Sequence, residues 1–221
     1  VSEEIRSETG LGGSNRPLRR PVLGDLGDAT RALMNALVRT DVDDDTIASA
    51  AATVNELAEK LNASHRPGAF NPVPDEIVER FNAYNPVVGK VNPFAPPMVV
   101  DSEGNGRATA RVTLGRVHEG PPLAVHGGIV ALMIDQLLGH AVAAAGRPGM
   151  TASLTVNYKR PTPFDTELLV EAWVTEESGR KILAKCTITA NGYVTAEADA
   201  VFLTLTHEQR EKYIRRAVGQ G

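Results

Sequence analysis

Two glycines and an aspartate carry the first chemical lead. Residues 123–128 read Leu-Ala-Val-His-Gly-Gly and lead into Ile129-Val130-Ala131-Leu132-Met133-Ile134-Asp135-Gln136-Leu137-Leu138-Gly139, an apolar run free of proline. A glycine pair at a helix entrance permits a tight backbone path and leaves the first N–H groups uncovered. Such amides suit a carbonyl oxygen that gains negative charge during reaction; the same glycines would also serve a helix that merely packs closely on a sheet. Asp135 sharpens the choice. Aspartate is a poor helix former, and a carboxylate between Ile134 and Leu137 is expensive to bury unless paired or functional. Its functional reading is a nucleophile or a general base; the alternative is a side chain turned to solvent or bonded to the sheet.

Spacing adds a constraint. Gly127 and Asp135 are eight residues apart, about 12 Å along a helix. Reacting atoms must approach to about 3–3.5 Å, so one carbonyl cannot touch both groups of one chain. If both act on one substrate, they come from two chains, and an antiparallel pair of such helices brings one Gly127 to the other Asp135. The site is expected at an interface, two per dimer.

The elements that must position these residues follow from punctuation and periodicity. Residues 1–24 hold Gly10, Gly12, Gly13, Pro17 and Pro21 and read as a flexible arm. Residues 25–64 read as a helical extension. Asp28 can cap a helix carrying Leu33, Met34, Leu37 and Val38, and Asp44 and Asp45 favour the start of a second over Ile47–Ala63. Both apolar stripes need a partner surface. From 65 to 97 seven prolines leave room for a short helix near Asp75–Asn82, inside a wrapping segment expected to bury Phe70, Phe81, Tyr84 and Phe94.

From Met98 the period becomes two. Strands are expected at Val99–Asp101, Gly106–Leu114, Thr151–Arg160, Glu167–Glu176, Lys181–Ala190 and Tyr193–Thr206, with the helix Ile129–Ala145 between the second and third. Short turns make the sheet antiparallel. A helix apolar around nearly its whole circumference must be wrapped, which implies a curved sheet around one central helix, an α+β domain over 65–221. Alternation places Thr151, Ser153, Thr155, Asn157 and Lys159 on one face of their strand, opposite Ala152, Leu154, Val156 and Tyr158. The tail from Glu208 reads as a solvated helical end.

The chain has 221 residues, 42% hydrophobic and 23% charged, with a net charge of −4. No basic field exists to hold nucleic acid. One cysteine excludes a disulfide framework, and no apolar run approaches the roughly 20 residues of a membrane span. The first residues lack the pattern of a signal peptide. The expectation is a soluble, cytoplasmic protein. The five histidines, His65, His118, His126, His140 and His207, form no helical HxxxH pair, so neither a metal nor another cofactor is expected. Cys186 alternates with Ile182, Ala184 and Ile188 and reads as packed, not nucleophilic.

His126-Gly127-Gly128, the Asp135 nine positions after the histidine, and Asn157-Tyr158-Lys159-Arg160-Pro161 together resemble the hotdog-fold acyl-CoA thioesterases, in particular the thioesterase superfamily member 4 and phenylacetate-pathway branches. The likeness covers about residues 65–206. It implies a homodimer or dimer of dimers that hydrolyses an acyl-CoA to free acid and coenzyme A. On that likeness the Gly127 N–H polarises the thioester carbonyl and Asp135 of the other chain attacks or activates water. Thr151 helps place that water or carboxylate, and His126 orients the turn. Gly128 belongs to the same binding turn, and the positions of Asn157, Lys159, Arg180 and Lys181 contact coenzyme A. Arg180 and Lys181 sit in a hairpin where a basic pair can reach phosphate. One departure stands out: an Asn or Gln that related enzymes carry shortly before the His-Gly-Gly is absent, and His118 is its candidate replacement.

Two rivals remain. A hotdog hydratase or dehydratase spaces Asp and His five apart, as Asp135 and His140 are, but on a continuous helix that is about 140° of rotation. A non-catalytic acyl-CoA-binding protein of the same fold is the other. Few aromatics (5%) favour a fatty acyl chain over a stacked aryl one.

Overall fold

Strand periodicity and turn chemistry build the domain from Val99 onward. The structure is a computed structural model and describes residues 21–64, 83–96, 98–206, 208–209 and 212. Six strands, β1 (Val99–Gly104), β2 (Arg107–Thr113), β3 (Gly149–Tyr158), β4 (Glu167–Ser178), β5 (Lys181–Ala190) and β6 (Tyr193–Thr204), pair antiparallel in the order β1-β2-β4-β5-β6-β3. Asn105 and Gly106, both at positive φ, close the first hairpin, and Asn191 and Gly192 the last. The hotdog topology is as expected; strand ends shift by up to two or three residues.

Among the described residues two helices precede the sheet, α1 (Pro21–Leu37) and α2 (Asp44–Asn62), and a third, α3 (Gly127–Ala144), lies in its concave face. The core joins Met133, Ile134, Leu137, Leu138 and Ala141 of α3 to Val170, Ile182, Ile188 and Phe202 of the sheet. By length and composition α3 is, among the described residues, the one helix long and apolar enough to cross a membrane. Here the sheet wraps it instead. The wrapping is one-sided: Gly128, Ala131, Leu132, Asp135, Gln136 and Gly139 form a stripe that stays partly open. The stripe recurs at three- and four-residue steps, one flank of a helix.

The N-terminal extension packs differently from expectation. The first described helix spans Pro21–Leu37, so Asp28 lies inside it and not at its start, and its carboxylate accepts from Arg31. Its buried residues are Gly24 and Gly27, while Leu33 and Leu37 stay exposed. A Cβ on Gly27 would collide with the Lys90 carbonyl oxygen, so backbone meets backbone there. Arg31 fastens the contact, donating to Asn92 O at 2.8 Å and Lys90 O at 2.9 Å. Helix α2 is capped by Asp43, whose Oδ1 accepts from Thr46 N at 2.9 Å. Among the described residues it buries none of its own side chains.

In residues 83–96 the expected aromatic burial is overturned. Tyr84 and Phe94 are exposed, and Val87, Val88 and Ala95 fill the core in their place. Asn85 causes the reversal: its Oδ1 accepts from Val87 N at 2.7 Å and Val88 N at 3.1 Å, turning the chain so that the valines point inward. The proposed Asp75–Asn82 helix, Phe70 and Phe81 lie outside the described residues.

Gly27→Ala should destabilise the protein by about 1–3 kcal/mol, since the added methyl must displace backbone. Thermal unfolding of the full chain measures this, and an unchanged Tm would contradict the packing described.

Candidate functional site

The turn before α3 is overdetermined by hydrogen bonds, with one exception. Residues 118–126 fold back on themselves: Gly120 N donates to Ala124 O at 2.9 Å and His126 N to His118 O at 2.9 Å. Gly120 is required there, because a Cβ would stand 2.6 Å from His126 Cα. Val125 N donates to Thr162 O at 2.8 Å, and Thr162 Oγ1 in turn to Thr195 Oγ1 at 3.1 Å, which ties the turn to the sheet. His126 caps the helix through its ring, Nδ1 accepting from Gly128 N at 3.0 Å. The His126 carbonyl accepts from Ile129 N at 2.9 Å and Val130 N at 3.2 Å. Of the first four helical amides, only the Gly127 N–H has no partner among the described residues.

One free amide at the positive end of a helix is the donor an emerging oxyanion requires. The geometry separates the two glycines. Gly127 has a donor to offer, whereas the Gly128 N–H is already engaged by the histidine.

Asp135 is not buried among apolar side chains as expected, because it falls on the open stripe of α3. Its Oδ1 accepts from Thr151 Oγ1 at 2.8 Å, and Oδ2 has no partner among the described residues. The strand alternation assigned to Thr151 needs correction. Cross-strand partners run Thr151↔Phe202 and then Ser153↔Val201, so Ala152 is an extra residue, a β-bulge. The bulge turns Thr151 to the helix side along with Leu154, Val156 and Tyr158, and leaves Ser153, Thr155 and Asn157 on the outer face. Period-two reading cannot anticipate an inserted residue.

Tyr158, read from sequence as one of the apolar-face residues, reaches the other end of the helix. Its hydroxyl donates to Gly127 O at 2.8 Å. Asn85 was also missed; its Nδ2 donates to Gln136 Oε1 at 3.0 Å, beside Asp135. The Asn85-Pro86 dipeptide signals a turn but not its target.

The four residues compared with coenzyme A contacts divide into two pairs. Lys159 Nζ lies 3.0 Å from Glu197 Oε2 on the outer face, where Asn157 also stands opposite Glu197. Lys181 pairs with Leu203 and Leu203 with Met150, which sets the Arg180–Lys181 hairpin roughly 20 Å down β3 from Asn157. Arg180 is engaged, Nε donating to Thr204 O and Nη2 to Gln209 Oε1, both at 3.1 Å. Gln209 and Thr206 make a reciprocal cap where the tail turns helical. One chain does not bring the two pairs together.

His118 stands across from His126, and partial burial lowers its imidazole pKa from the ordinary histidine value, favouring the neutral form. His140 is buried and Asp135 is on the open stripe, so the hydratase spacing gathers no site. Among the described residues no three His, Cys, Asp or Glu side chains cluster at metal-binding distance.

A profile of the thioesterase superfamily matches residues 124–196, from the turn through most of the sheet. A crystal structure of a thioesterase superfamily protein, 32% identical, superposes with a TM-score of 0.76 over 87% of this chain and 100% of that one. The chain belongs to the thioesterase superfamily. Acyl-coenzyme A thioesterase THEM4 of Xenopus laevis is 37% identical over 89 residues, 39% of this thioesterase-superfamily chain and 40% of the relative. The Mus musculus THEM4 is 34% identical over 106 residues, 47% and 46% of the two lengths. The chain thus spans less than half the length of these curated relatives.

Cys186 lies outside this constellation. Burial, reinforced by the nearby Glu171 charge, pushes its thiol up to about 12, so it stays protonated through pH 9. A disulfide-exchange reagent at pH 8.5 should label it only after denaturation; rapid labelling of the native protein would contradict its placement.

Proposed function

We propose that the protein hydrolyses the thioester of an acyl-CoA at a site completed by two copies of the chain. The observation that carries the reading is one unpartnered amide, at Gly127, and one oriented carboxylate, Asp135, set eight residues apart on one helix and both tied to β3. A carbonyl polariser and a base are the two requirements of thioester hydrolysis. Their spacing of about 12 Å forbids joint action within one chain. The curated relatives named acyl-coenzyme A thioesterases support the substrate class.

Strand β3 offers the second copy its place. It is an edge strand of ten residues without proline, and an open edge is a template for pairing. Antiparallel pairing of two β3 strands brings the Tyr158 end of one, with its Gly127, beside the Thr151 end of the other, with its Asp135. The same operation brings Asn157 and Lys159 of one copy toward Arg180 and Lys181 of the other, a cationic rim for the coenzyme A phosphates. A dimer of dimers is compatible with this interface.

In the reaction, the thioester oxygen rests on the Gly127 N–H, which stabilises the developing charge by about 3–4 kcal/mol. In the other copy, Thr151 holds Oδ1 of the Asp135 of its own chain, and Oδ2 takes a proton from water as its oxygen bonds the carbonyl carbon. The tetrahedral intermediate collapses, the C–S bond breaks, and the departing thiolate receives the proton from Asp135. Direct attack by Oδ2 would instead give a mixed anhydride that water opens. Single turnover in ¹⁸O-labelled water detects direct attack where water opens the anhydride at the Asp135 carbonyl, which leaves label in that carboxylate, and hydroxylamine trapping of the anhydride detects it where water attacks the acyl carbon. The aliphatic bias of the chain favours a fatty acyl group, which a panel of short, long and aryl acyl-CoAs tests.

Two variants test the shared site. Asp135→Asn should lower coenzyme A release by about 10²–10⁴-fold with acyl-CoA binding retained. Gly127→Pro removes the free N–H at the first helical position, which proline favours; its ring must also shift the Tyr158 side chain by a few tenths of an ångström, and the variant should be similarly impaired. Mixing the two inactive chains should restore about a quarter of wild-type activity, since half of the dimers are mixed and each holds one intact site of two. No recovery despite subunit exchange would overturn the shared site. Binding without release by the wild type would make the protein a non-catalytic acyl-CoA binder.

A further inference from the structure

We propose that Tyr158 is a positioning residue: it fixes the Gly127 amide, and through it the thioester carbonyl, an inference that rests on the thioesterase reading above. Glycine is the residue least able to hold its own backbone direction, yet an oxyanion donor must sit within about 2.7–3.1 Å of one developing charge. Something outside the residue must hold Gly127.

The Gly127–Gly128 peptide is gripped at both ends. Its carbonyl, Gly127 O, accepts from the Tyr158 hydroxyl at 2.8 Å. Its N–H, on Gly128, donates to His126 Nδ1 at 3.0 Å. The tyrosine ring closes the remaining freedom: Cζ and Oη lie 3.3 Å, and Cε1 3.4 Å, from where a Cβ on Gly127 would stand. The ring therefore fills the space beside Cα and blocks the glycine from swinging. On the preceding peptide the His126 carbonyl is held by Ile129 and Val130. With both flanking peptides fixed, the free N–H of Gly127 points in one direction.

Tyr158 contributes little to the core. It is 54% exposed, and the helix would form without its bond, since the carbonyl of a first-turn residue is an acceptor in the helical ladder already. Its hydroxyl is placed for aim more than for stability. The bulge at Ala152 completes the device, because it puts Thr151 on the same side of β3 as Tyr158. One strand thereby fixes the base through Thr151 and the amide through Tyr158, and sets their separation.

The test is Tyr158→Phe, which keeps the ring and removes only the donor. Coenzyme A release should show kcat lowered about tenfold with KM within a factor of two, the pattern of an interaction made in the transition state. The Gly127 amide resonance of the ligand-free variant should shift and exchange faster with solvent, with Tm unchanged within about 2 °C. An unchanged kcat together with an unchanged Gly127 amide overturns the proposal, as does a rise in KM alone, which would make Tyr158 a substrate contact. If the wild-type protein releases no coenzyme A, the thioesterase reading fails, and the Gly127 resonance still decides whether Tyr158 holds that amide.

Discussion

The hydrogen bond from Thr151 to Asp135 is the contact on which the geometry of the candidate site depends. A carboxylate on the flank of an apolar helix is stable because one oxygen has a partner and the other meets an open stripe. Remove the strand, and an acid would stand beside leucines with nothing to orient it. The bond exists only because β3 carries an extra residue at Ala152. Without that bulge Thr151 would face outward with Ser153 on a regular strand, and the acid would lose its hydroxyl.

Much of this was legible in the residues themselves. The helix entrance, the acid eight positions on and the antiparallel sheet could all be read from glycines, turn dipeptides and a change of period. The proposal of a site shared by two copies rests on helical rise together with both groups acting on one substrate. Three features were hidden for physical reasons. The bulge leaves no compositional mark, since alanine suits either strand face. Tyr158 looked like packing because its ring is apolar, and only the fold shows where its hydroxyl ends. Asp135 looked buried because Ile134 and Leu137 flank the Asp135-Gln136 pair in an apolar run, although a helix turns neighbours about 100° apart.

The N-terminal extension shows a different limit. Its docking surface is made of absence: Gly24 and Gly27 let backbones meet, and Arg31 reads carbonyl oxygens on the 89–92 loop. Hydropathy looks for side chains to bury, so it pointed to Leu33 and Leu37, which remain exposed. The segment that α1 clamps also carries Asn85, whose amide bonds Gln136 next to the acid. The extension is thus linked through the 83–96 segment to the helix that carries Asp135.

The position of β3 has a consequence for how the molecule is made. It leaves the helix third among the strands, yet its sheet partner is β6, the last. A ribosome has released the acid, the hydroxyl and both glycines well before the strand that seats them exists. Local hairpins between β4, β5 and β6 can close early, while β3 must wait for a long loop to be drawn shut. The nascent chain can therefore form most of its sheet before β3 is seated, and the contact between Thr151 and Asp135 is among the last things synthesis puts in order.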